Sequence, residues 1–180
     1  MGKIKYGVLK SKAGLVFDAA YNSTIKSLVA QARHRCLCSL FLVDLLTAPG
    51  QKLRQEQKLL VDDILIELQT ALWRGVDVRL LIGGSWDNLR IATLSETARA
   101  RATELGIPCQ WMTYQKGHQS HAKLVIADDY VLTGSHNWSV GALTDQVQDS
   151  ILVESETLAA YLISIFEYQW KRATEGSTNV

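Results

Sequence analysis

A chain of 180 residues has room for one hydrophobic core, and 47% hydrophobic with 21% charged residues is ordinary globular usage, which excludes a disordered chain. With 19 Lys and Arg against 18 Asp and Glu the formal charge is only +1, so no global basic field marks a nucleic-acid binder and a polyanion must be gripped locally. Cys36, Cys38 and Cys109 are odd in number and follow no export signal, which argues against a disulfide framework and for a cytoplasmic protein; no window approaches the ~20 apolar residues of a membrane span, so membrane association is disfavoured.

In chain order, Ile25, Leu28, Val29 and Ala32 recur at helical spacing behind Asn22, Ser23 and Thr24, which predicts a helix over Asn22–His34 whose polar start caps the free amides. Cys36–Val43 is an almost unbroken apolar run of strand length, as expected of a strand covered on both faces. A loop at Leu45–Gly50 leads to a helix that begins in an exposed stretch, Lys52–Lys58, and reaches Arg74, with Leu60, Ile64, Leu68 and Leu72 four apart and Gly75 as its stop. Val76–Ile82 reads as a second buried strand. The segment GGSWDN then turns the chain into a helix over Leu94–Leu105, closed by Gly106 and Pro108. After a short strand at Cys109–Thr113, the segments Ala122–Ala127 and Tyr130–Thr133 flank Asp128-Asp129 as a tight hairpin. Ser150–Glu154 is the last strand. Leu158, Leu162, Ile165, Phe166 and Trp170 line one side of a C-terminal helix that gives way to a polar tail at 173–180. The whole, 1–180, is expected to be a single domain.

The chemistry gathers at the hairpin. His121 and Lys123 lie two apart, so on a strand both side chains leave one face about 6.6 Å apart, close enough to touch one phosphate. A neutral imidazole can attack phosphorus while an ammonium offsets charge on the phosphoryl oxygens. Asp128 falls on the opposite face and is expected to hold the hairpin through side-chain-to-backbone hydrogen bonds. Beyond it, Gly134-Ser135-His136-Asn137-Trp138 offers a glycine for close ligand approach and neutral donors from Ser135 and Asn137, a candidate phosphate cradle.

His-x-Lys-x4-Asp followed closely by Gly-Ser-x-Asn resembles the HKD signature of the phospholipase D superfamily. The stretch Ile64–Ile82 and the final Leu-Val-Glu-Ser before a Trp-ended helix are similar to bacterial members with one HKD copy per chain, which include small homodimeric endonucleases. The resemblance implies an α/β sandwich, a mixed and mostly parallel sheet with helices on both faces, in which two HKD copies meet at one site. A homodimer is then required. It further implies a metal-independent and cofactor-free phosphodiesterase, in which His121 of one subunit becomes a phosphohistidine while the second His121 serves the leaving group and then the water. Lys123 and Asn137 would bind the phosphoryl oxygens, and Ser135 and Gly134 would assist. Two departures stand out: the Asp128–Gly134 spacing is one residue tighter than the family's usual one, and Gln148, with Asp149 beside it, occupies the position where relatives carry the carboxylate that orients the nucleophile.

Other readings weigh less. His136 and Trp138 could contact substrate, yet loop histidines are commonly just solvated and tryptophans are commonly core. The same holds for His118, Trp86 and Trp111. A zinc site built from His118, His121 and a cysteine lacks the usual ligand spacing. Arg90, Arg99 and Arg101 could line a groove for a nucleic-acid backbone, or form a solvated face offset by Glu96 and Glu104. The expected substrate is nucleic acid; a phospholipid, or nucleic acid bound without turnover by a silent dimer, are the alternatives.

Overall fold

The computed structural model describes residues 11–46, 55–83, 88–112 and 120–177. Among them, seven strands form one sheet: β1 (Lys12–Phe17), β2 (Arg35–Leu40), β3 (Asp77–Ile82), β4 (Cys109–Trp111), β5 (Lys123–Ala127), β6 (Tyr130–Gly134) and β7 (Asp149–Glu154). Five helices accompany them: α1 (Ala20–Gln31), α2 (Gln55–Trp73), α3 (Leu89–Glu104), α4 (Val140–Thr144) and α5 (Glu156–Ser177).

The spatial order is β1-β7-β6-β5-β2-β3-β4. β2, β3 and β4 pair in parallel, as strands joined through helices must, while β5, β6, β7 and β1 extend the sheet antiparallel. The single α/β domain and its mixed, helix-flanked sheet match the sequence reading, but the sheet is not mostly parallel. Four of its six pairings are antiparallel, because the two-residue turn between β5 and β6 leaves no room for a crossover.

Alternation along each strand divides the core in two. Cys36, Cys38, Leu40, Val78, Leu80, Ile82, Val125 and Ala127 face α1, α2 and α3, meeting Ile25, Val29, Ile64, Leu68 and Ala98. The intervening Leu37, Leu81 and Ile126 face α5, meeting Ala159 and Phe166. β2 is thus buried on both sides, which is why its sequence shows no polar alternation. Arg79 fastens α5 to the sheet through Glu167, with its guanidinium carbon 5.6 Å from the Phe166 ring centre and 5.4 Å from that of Trp170.

Helix ends follow local chemistry. Gly75 (φ 87°) and Gly106 (φ 72°) both adopt the left-handed conformation, and the amides after them, Val76 and Ile107, reach back to Ala71 and Ala102 to close α2 and α3. Asn88 caps α3 by accepting from the Ile91 amide, so that helix starts earlier than the expected Leu94. In α1 the expected polar cap does not form. The helix already begins at Ala20, and Ser23 and Thr24 donate to the Ala20 carbonyl instead of accepting from amides.

β1 and α4 had no counterpart in the sequence reading, and α5 continues through 173–177, where a polar tail was expected, with Ala173 buried against the sheet. The expected loop at 47–50, His118 and Trp86 lie outside the described residues.

Candidate active site

β5 and β6 turn at Ala127↔Tyr130, so the other end of the hairpin brings together the start of β5 and the finish of β6. Lys123 opens β5 and Gly134 closes β6, which places the two halves of the motif side by side although 10 residues separate them in sequence. The C-terminal end of β2 arrives at the same edge, where the Phe41 amide donates to the Ala122 carbonyl at 2.7 Å. Gly83, just past β3, packs so closely that a Cβ there would stand 2.9 Å from the Ser120 carbonyl. In open sheets the carboxyl ends of parallel strands are where ligands gather.

His121 is exposed, and Lys123 is buried. Lys123 Nζ donates to His121 Nδ1 at 2.9 Å and to the His121 carbonyl at 3.0 Å. An ammonium has only donors, so Nδ1 accepts and the neutral ring carries its proton on Nε2. Burial, and then the adjacent ammonium, hold His121 below the ordinary imidazole value, so the ring is the neutral base near pH 7. Burial likewise lowers Lys123. The Phe41 ring lies against both: 4.3 Å from the imidazole centre at 37°, and 5.0 Å from Nζ. Phe41 was not foreseen, although it was the one aromatic residue in the apolar run Cys36–Val43.

Downstream, Gly134 answers to a different neighbour than the one expected. A Cβ there would collide with the Asp149 carbonyl and the Ser150 side chain, so the approach of β7 by itself requires a glycine. Ser135 is clasped to the same strand: its amide donates to the Asp149 carbonyl at 2.8 Å, and its hydroxyl accepts the Asp149 amide at 3.1 Å. Asn137 is half-buried, with Oδ1 enclosed and without a hydrogen-bond partner among the described residues, a cost in stability that calls for an explanation.

The expectation that His136 and Trp138 touch substrate is corrected, because both are fully buried. His136 stacks on Tyr21 at 4.3 Å and 12°, donates from Nε2 to the Asp18 carbonyl and accepts from Ser150 at Nδ1. Trp138 donates from Nε1 to the Tyr21 hydroxyl. Their role is to seat the loop: a buried aromatic of this kind contributes about 3–5 kcal/mol against truncation to Ala.

Asp128, at φ 49°, does bond to backbone, but its target is the α1–β2 connection and not the hairpin. Its carboxylate accepts the amides of Arg33, His34 and Arg35 at 2.8, 2.9 and 3.0 Å. Partial burial raises its pKa, but these three donors outweigh that and leave the carboxyl below its usual range.

Gln148 does not orient His121. Its backbone amide is held by Asp18 Oδ1, its side-chain nitrogen donates to Gln146, and His121 Nδ1 is engaged by Lys123. Asp149 is exposed and meets Ser135 through its backbone. Of the three arginines suggested to line a basic groove on α3, two are engaged by carboxylates. Arg99 pairs with Glu96 and Arg101 with Asp62 and Glu104, and the cleft of about 920 Å³ between α2 and α3 is lined by those same carboxylates. Among the described residues, no group of three His, Cys, Asp or Glu is placed to hold a metal, and no helix is long and apolar enough to cross a membrane.

These features agree with what comparison finds. Residues 42–170 match the family described as the cardiolipin synthase, PLD-like domain, and the chain belongs to that family, within the phospholipase D superfamily. Among solved structures it is similar to the phospholipase D family member Nuc from Salmonella typhimurium, with a TM-score of 0.69 and 21% identity over 90% of this chain and 95% of that one. NucT from Helicobacter pylori follows with 0.63 and 15% over 90% and 97%, and the archaeal chromatin protein TrmBL2, whose structure shows a mode of DNA binding, with 0.54 and 14% over 94% and 55%. No curated protein matches the sequence significantly.

Proposed function

We propose that the protein is a metal-independent nuclease that cleaves phosphodiester bonds through a phosphohistidine formed on His121. The observation that carries this reading is the 2.9 Å contact between a neutral imidazole and a buried ammonium at the edge where the Gly134–Asn137 loop begins. A phosphoryl oxygen is a better acceptor for Lys123 than a neutral ring nitrogen. Once the ammonium turns to the phosphate, the ring proton can pass to Nδ1 and the Nε2 lone pair is free to attack. The N–P bond forms as the P–O bond to the leaving group breaks, and the departing oxygen takes its proton from the second His121, which enters this step as the imidazolium, its charge favoured by the bound phosphate, and leaves it neutral. Water activated by that same second imidazole then hydrolyses the N–P bond. Lys123 and the Asn137 amide would hold the oxygens throughout.

The single motif supports a homodimer, because one chain offers one His121. The exposed apolar residues Leu15, Phe17 and Ile151 support it as well, since Leu15 and Ile151 are register partners and Phe17 lies opposite Asp149, on the sheet edge next to Ser135. Nucleic acid as substrate is favoured by the exposed position of His121, by the likeness to small single-copy endonucleases, and by the DNA binding of TrmBL2. Gln148 in place of a carboxylate favours a second reading, a dimer that binds nucleic acid without turnover.

Hydrolysis of single-stranded and duplex oligonucleotides and of phospholipid vesicles in EDTA, compared with His121→Asn, separates these readings. Oligonucleotide cleavage in the chelator that the variant loses is expected. Wild-type turnover no higher than the variant's leaves only the binding reading, and cleavage confined to vesicles makes the substrate a lipid.

A further inference from the structure

We propose that Phe41 is a positioning residue, the platform on which His121 and Lys123 are held as one unit; its catalytic consequence rests on the phosphodiesterase reading above. The backbone dictates the placement. Because the Phe41 amide donates to the Ala122 carbonyl, the residue just past β2 is locked opposite the one residue between His121 and Lys123, and its ring meets both side chains. Lys123 in turn bonds His121 at Nδ1 and at the carbonyl, so imidazole, ammonium and phenyl ring form a closed three-way contact.

Each side of that contact uses a property that only an aromatic ring supplies. The negative face of the ring attracts the Lys123 ammonium, whose hydrogen bonds otherwise go to a neutral nitrogen and a carbonyl. A flat surface 4.3 Å from the imidazole centre restricts rotation of an otherwise exposed side chain, and it withholds water from one face of the imidazole. A leucine would supply apolar bulk without a π face, leaving the ammonium less supported and the imidazole free to turn. The platform matters most at the moment of exchange. When a phosphate draws Lys123 away from Nδ1, the imidazole loses its hydrogen bond to the ammonium, and Phe41 is what keeps the ring aimed.

Phe41→Leu and Phe41→Tyr test this with two independent readouts. The first is NMR titration of the His121 ring in the substrate-free protein, where the facing charge among the described residues is Lys123. The second is steady-state hydrolysis with kcat and KM resolved. Phe41→Leu is expected to shift the His121 midpoint upward, toward the ordinary imidazole value, and to lower kcat by roughly tenfold with little change in KM. Phe41→Tyr is expected to restore both. If Phe41→Leu lowers the melting temperature, Phe41→Met, long and apolar without a ring, provides the same comparison. A wild-type His121 titration in the non-aromatic variant overturns the proposal. Absence of turnover in the wild type overturns the phosphodiesterase reading instead and leaves the titration to decide the role of Phe41.

Discussion

The two ends of the β5–β6 hairpin carry charged residues of the same short motif and treat them in opposite ways. At the turn, Asp128 is satisfied: three backbone amides converge on one carboxylate, and its charge is lodged where the chain needs an acceptor. At the open end, Lys123 is buried with a neutral ring nitrogen, a carbonyl and the Phe41 ring for company, and Asn137 Oδ1 has no partner among the described residues. A saturated group contributes to the fold, whereas a group left short of partners costs stability and retains the capacity to bind. Within a single motif, then, the aspartate belongs to the scaffold, and the histidine and lysine are left for the proposed chemistry.

Substitutions can break that division from either side. The largest effect is expected from Lys123→Met, which removes a buried charge but preserves its volume: kcat for phosphodiester hydrolysis should fall by about a hundredfold or more. The thermal midpoint should hold or rise, because the buried ammonium has no counter-charge among its described contacts. Parallel kinetics and thermal melts check both halves. A melt that drops sharply with activity intact would reverse the assignment of the two ends.

Asp128→Ala should do the converse. Three amides lose a charged acceptor, and denaturant titration is expected to show a loss of about 2 kcal/mol, with turnover per folded molecule retained. Because the folded-state pKa of Asp128 is depressed, its contribution is complete above the ordinary carboxylate value of about 3.9 and is lost as pH falls through the lower folded value. The gap between wild type and Asp128→Ala should therefore close in acid and stay constant at neutral pH. A constant gap down to the acid limit would show that the carboxylate charge contributes nothing.

The sequence made one of these ends far easier to read than the other. Apolar periodicity and glycine stops revealed β2, β3, α2 and the hairpin because burial on both faces of a sheet leaves a continuous signal. β1 left none: it is an edge strand that buries only Val16, so its composition resembles that of a loop. The His121–Lys123 pair was readable from a spacing of two, which fixes a common face. Its partners were not, since Phe41 reaches it through a contact between segments 80 residues apart in sequence. His136 and Trp138 were misassigned for a related reason: residues next to the candidate phosphate loop share its sequence neighbourhood, and only Tyr21, Asp18 and Ser150, distant in the chain, reveal that they face inward. Gly134 is similar, its constraint coming from β7.

A rapid acid-free quench during turnover of an oligonucleotide, followed by peptide mass spectrometry, tests the reactive end most directly. An oligonucleotide fragment joined to His121 through its terminal phosphate, labile to acid and absent from His121→Asn, is the result expected. Multiple turnovers without any adduct at His121, or an adduct on another residue, would contradict the account.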